Sequence, residues 1–107
     1  MISLFIDNTD RQVDLASGEN YQNFLNEVAD LGGCPHLLRF IPQYSSGVWG
    51  KLDKPSDNNQ IISLDILKQE IARILLAEIS EQSRYIAEKY RDCLEEAEKL
   101  SESVIIE

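Results

Sequence analysis

The chain has 107 residues, 43% of them hydrophobic, and 19 acidic against 10 basic side chains give it a formal net charge of −9. That length suits one domain, and that apolar content excludes disorder throughout. A field of this sign repels nucleic acid and anionic lipid and attracts basic surfaces, so the expected partner is a basic protein, with no nucleic acid and no membrane.

The surplus of acid is spread along the chain: residues 1–63 carry eight acids and four bases, residues 64–107 eleven and six. Two cysteines, Cys34 and Cys93, cannot build a disulfide framework. With a single histidine they also fall short of a four-ligand zinc site, so no metal and no cofactor are expected. The opening MISLFIDNTD lacks the basic region of a signal peptide. No apolar run approaches the roughly 20 residues of a membrane span. The expected compartment is the reducing cytoplasm.

Ile2, Leu4 and Ile6 alternate on one face of a first strand. DNTD supplies turn chemistry, and Val13 and Leu15 share a face of a second strand, which makes a β-hairpin. SGENYQNFLNEVADLGG is a helix. Ser17 or Gly18 caps it, Glu19 suits the positive end of its dipole, and Tyr21, Phe24, Leu25, Val28 and Leu31 line one face. Gly32 and Gly33 supply a left-handed stop. Pro35 biases Cys34 toward extended geometry, and HLLRFI then reads as a third strand, with VWGKL as a fourth. The order strand–strand–helix–strand–strand resembles that of a β-grasp roll in element order alone. On this reading LGGCP is only a helix stop, because no helix comes after it to cradle a phosphate.

DKPSDNNQ reads as a loop, with Ser63 as the cap of the next helix. From Leu64 to about Ser101 there is no glycine and no proline. A straight helix over that span would be close to 60 Å long, overhanging a domain about 35 Å across. Leu64–Ile79 is apolar on most sides, so it needs cover on two faces. Ile86, Tyr90, Cys93, Ala97, Leu100 and Val104 form a heptad-like seam that is out of phase with Leu67, Ile71 and Ile74. The phase slip falls at Ser80–Ser83, where a break or bend is expected. Beyond it, the second half either folds back over the first or pairs with a second copy. The apolar tail SVIIE packs on the sheet or adds an edge strand. The expected fold is therefore α+β: a small, mostly antiparallel β-β-α-β-β sheet region over 1–60, then a long, bent or broken C-terminal helix over 61–107 packing on it, one domain overall.

Few residues carry recognisable chemistry. Cys34 and His36 at i and i+2 would point to one side of an extended segment, one recipe for an activated thiol. No oxyanion loop or third orienting residue accompanies them, so no catalytic residue is assigned and no enzyme is expected. Partner binding is the better expectation. Tyr44 and Trp49, in or beside the glycine-flanked stretch QYSSGVWGKLDKP, are of the types enriched in binding hot spots. Glu88, Asp92, Glu95 and Glu96, with Glu98 and Glu102 beyond them, form an acidic helix face suited to lysines and arginines. Together they point to a non-enzymatic acidic inhibitor in the manner of immunity proteins and antitoxins, acting on a basic partner such as a nuclease. The alternative is a homodimeric structural or adaptor module assembled through the C-terminal helix.

Overall fold

The computed structural model describes residues 1–40, 50–52, 61–62 and 64–107. The chain is α+β. Strands β1 (Ile2–Ile6) and β2 (Gln12–Ala16) form the expected hairpin, with a bulge between Ile2 and Ser3. Its turn places Asn8 at φ 62°, a conformation asparagine tolerates, and Thr9 Oγ1 ties back to the Ile6 carbonyl at 2.8 Å. Helix α1 (Gly18–Leu31) starts where Ser17 accepts from the Asn20 amide and ends at Gly32, φ 71°. Tyr21, Phe24 and Val28 form its buried face.

The segment after α1 departs from expectation. HLLRFI is not a strand: Pro35–Arg39 is a short helix, α2, with proline in its first turn. Proline there gives up an amide that has no partner inside the helix anyway, and its fixed φ suits the position. LGGCP is accordingly succeeded by a helix after all, and the expected β-β-α-β-β order gains this second helix and becomes β-β-α-α-β-β, with Gly50–Leu52 of VWGKL as the next strand. Strand β3 is Gly50–Leu52 and β4 is Ile61–Ile62, paired in parallel. Tyr44 and Trp49 lie outside the described residues, as do the DKPSDNNQ loop and Ser63.

The long helical stretch is two helices, α3 (Leu64–Leu76) and α4 (Glu81–Leu100). The 20 residues of α4 rise about 30 Å at 1.5 Å each, within the molecule's longest extent of 34 Å. The two run antiparallel: Lys68, early in α3, bonds Glu98, late in α4, at 2.7 Å. The turn between them, residues 77–80, achieves without glycine what a fold-back needs. Arg84 donates to the carbonyls of Leu75 (3.1 Å) and Ala77 (3.3 Å), satisfying the end of α3. Ser80 caps α4 through the Ser83 amide. Glu27 of α1 accepts from the Ser80 amide (2.7 Å), Ser80 Oγ (3.0 Å) and Ser83 Oγ (2.6 Å). Folding back, one of the two arrangements expected, is thus built by side chains from three elements.

The tail is strand β5 (Val104–Ile106), and it lies in the middle of the sheet, not at an edge. The strand order is β2-β1-β5-β3-β4, antiparallel except for β3–β4. Leu4 opposes Ile106 and Ile6 opposes Val104, so these four share a face. They join Phe24, Leu67, Ile71, Ile74, Ile86, Tyr90 and Leu94 in one core drawn from both ends of the chain. Each large apolar side chain so buried contributes roughly 1.5–3 kcal/mol against exposure. Ile86, Tyr90, Cys93 and Ala97 are at most 1% exposed, so most of the seam of α4 is covered by its own chain. Leu100 is 46% exposed, and Val104 belongs to β5.

Candidate functional site

The structure divides the acidic face of α4 into two groups. Glu96 pairs with Arg11 at 2.8 Å, Glu98 with Lys68 at 2.7 Å, and Glu102 accepts from Asn8 Nδ2 at 2.9 Å. These three link α4 and the turn after it to the β1–β2 hairpin and to α3, each a surface contact worth little by itself. Of the residues expected to bind a partner, Glu96 is therefore engaged internally. Glu88, Asp92 and Glu95 are exposed at i, i+4 and i+7, one stripe along the outside of the helix. Among the described residues Asp92 has only its neighbour Arg91, at 3.2 Å between two exposed side chains, a pairing worth little in water. Glu88 and Glu95 make no hydrogen bond or ion pair with a described residue.

Beside this stripe runs a groove of about 360 Å³ between α3 and α4, lined by Lys68, Ala72, Leu75, Leu76, Arg91 and Glu95. Leu76, in the last turn of α3, is 90% exposed. Periodicity marked Leu76 as one of many apolar positions on a helix needing two covers. The buried apolar residues of α3, Leu64, Leu67, Ile71 and Ile74, fall on one arc of the helix, so one face is covered where two were expected, and Ile66 and Leu76 stay exposed.

The Cys34–His36 pairing does not form. The Cys34 thiol is buried and directed to the Glu70 carbonyl at 3.7 Å. Burial first, and the Glu70 charge second, push that thiol up, the wrong direction for a nucleophile. Cys93 is buried in the core and pushed up to about 12, chiefly by burial. His36 turns instead to Glu70, with Nδ1 2.7 Å from Oε2.

Glu70 is the residue that sequence reasoning missed. It is 7% exposed, and its carboxylate holds the start of α2, accepting from the Leu37 amide at 2.7 Å and the His36 amide at 3.3 Å. α2 is capped by a side chain 34 positions away, since Cys34 at its N-cap makes no side-chain cap bond. A signal was present: Leu67, Glu70, Ile71 and Ile74 fall at i, i+3, i+4 and i+7, which puts the carboxylate on the core face. A charge there needs buried donors to meet it.

Among the described residues no group of three or more His, Cys, Asp or Glu side chains is placed to hold a metal ion. No helix among them is long and apolar enough to cross a membrane. Comparison with protein-family models, with curated proteins and with solved structures finds no match to this chain.

Proposed function

We propose that this is a non-enzymatic acidic binding protein that occupies the surface of a basic protein partner and neutralises it, as immunity proteins and antitoxins do to nucleases. The observation that carries the reading is the allocation of the α4 acids. Glu96 and Glu98, with Glu102 just beyond the helix, are engaged within the fold, and Glu88, Asp92 and Glu95 are left as an outward stripe beside an apolar groove. Fixed carboxylates steer a cationic surface to the encounter, and an apolar side chain seated in the groove slows release. Tyr44 and Trp49 are proposed as further anchors on the partner. Two free thiols, both buried, suit a reducing cytoplasm.

The test is a side-by-side capture. Wild type and an E88K/D92K/E95K variant are immobilised and exposed to extract of the source cell at low and at high salt. The expected result is a basic protein held by wild type at low salt and lost both at high salt and in the variant, whose thermal midpoint is unchanged. Trp49→Ala should weaken the same interaction. Retention of the same protein by both forms, or retention indifferent to salt, refutes the assignment.

A homodimer is the second reading, and the exposure of Leu76 favours it. Because the α4 seam is covered by its own chain, a second copy would dock on the outer side of α3. Light scattering that gives a dimer with wild type and a monomer with Leu76→Glu would support it, and a monomeric wild type would end it.

A further inference from the structure

A second concave region lies on the other side of α3, away from the acidic stripe. Gly33, Pro35 and His36 face Ile66, Gln69, Glu70 and Arg73 across a cleft of about 480 Å³, a size typical of small-ligand sites. Three features give it a chemical preference.

The first is Arg73. Its guanidinium packs against Gly33, where a Cβ would stand 2.6 Å from Nε and 2.8 Å from Cζ. Gly33 has φ 79°, a backbone conformation that favours glycine. The fork thus lies beside the Gly33 backbone at the wall of the cleft, on an exposed side chain. Yet Arg73 makes no hydrogen bond or ion pair with a described residue, in a chain with 19 acids to 10 bases. Arg11, Lys68, Arg84, Lys89 and Arg91 each have an oxygen partner. A planar guanidinium whose donors no described residue uses is a ready bidentate partner for an oxyanion. Gln69, one turn before it on the same face, adds an amide.

The second feature is Glu70, which lines the same cleft. Its charge is met by two amides and by His36, but it still lies near any bound anion. A neighbouring carboxylate penalises a dianion more than a monoanion. The third is the apolar wall, with Ile66 38% exposed and Pro35 exposed. A ligand with a short hydrocarbon part can cover these, while His36, its Nδ1 engaged by Glu70, has Nε2 left for a polar group on the ligand.

We infer that this cleft binds a small monocarboxylic acid, its carboxylate on Arg73 and Gln69 and its hydrocarbon part on Ile66 and Pro35. The site is separate from the partner-binding stripe and does not depend on it.

The experiment uses the full-length chain labelled with ¹⁵N, titrated at fixed ionic strength with sodium butyrate, inorganic phosphate or sodium chloride. The readouts are the Arg73 Nε–H resonance and the amides of Gly33 and His36. Butyrate should give saturable shifts at those three positions. Arg73→Gln should weaken them about tenfold or more, as expected for loss of a charge-assisted pair. Lys99→Gln, which removes an exposed lysine elsewhere, should leave them unchanged. Phosphate should bind several-fold more weakly than butyrate. Should Arg73→Gln fail to fold, Arg73→Lys keeps the charge, loses the fork, and should weaken butyrate several-fold. The inference is overturned by shifts that do not saturate, by equal saturation in the Arg73 variant that folds, or by phosphate binding tighter than butyrate.

Discussion

Glu70→Ala is the perturbation that most directly tests how the short helix α2 is held in place. It removes the acceptor for the Leu37 amide at 2.7 Å, for the His36 amide at 3.3 Å and for His36 Nδ1 at 2.7 Å. Leu37 is 0% exposed, so its N–H has no water to turn to. A buried donor left unmet costs about 1–3 kcal/mol, and loss of a helix cap about 0.5–2 kcal/mol. The two figures describe overlapping contacts and are not summed. Against them stands relief of the desolvation of a buried charge, which can make such groups nearly neutral. Here the carboxylate has three hydrogen-bond donors, so its loss should dominate, at about 2 kcal/mol net. For a domain near this size that lowers the thermal midpoint by about 8–16 °C. Glu70→Gln keeps an acceptor for Leu37 but turns an NH2 toward the His36 donors, and should cost about half as much. Calorimetry gives the midpoint, and amide hydrogen exchange gives the locality, with protection lost first at His36 and Leu37. A Glu70→Ala protein within about 0.5 kcal/mol of wild type, with Leu37 still protected, would refute the capping argument.

Two further outcomes are expected. Ellman's reagent at pH 8 should label native Cys34 and Cys93 about 100-fold or more slowly than a small free thiol, and both at once after unfolding, because burial excludes the reagent and disfavours the thiolate. Rapid labelling of Cys34 in the native protein would contradict the packing described. Glu27 is held below its ordinary value of 4.5, first by the Ser83 hydroxyl and then by Ser80, against an opposing desolvation. The folded state therefore binds its proton less readily than the unfolded chain does. Its contribution is full above pH 4.5 and is lost as pH falls through the lower folded value. Chemical unfolding monitored from pH 6 to pH 3 should show a shallower acid loss in Glu27→Gln than in wild type, and identical slopes would exclude this role.

How far the sequence carried can be judged element by element. The hairpin and α1 were legible because their signals are local: alternation at Ile2, Leu4 and Ile6, turn residues at 7–10, Ser17 before the helix and Gly32 after it. The existence of a break in the C-terminal helix was legible as a phase slip, but it falls at residues 77–80, ahead of the expected Ser80–Ser83, and Glu81–Ser83 already belong to α4. α2 was not. HLLRFI has no decisive period, and the group that completes its first turn, Glu70, comes from another helix.

The position of β5 was equally hidden. A three-residue apolar tail specifies a strand but not its neighbours, and its pairing with β1 spans nearly the whole chain. The candidate surface shows the same limit. The composition established that acid exceeds base, which is a property of the residues alone. Which acids are left over is a property of distances: Arg11 reaches Glu96 and Asn8 reaches Glu102 only after folding brings the two ends together. Local chemistry decided where β1, β2 and α1 start and stop. The tertiary structure decided which charges are matched and which helix caps another, because those interactions join residues tens of positions apart and exist only once the core has closed.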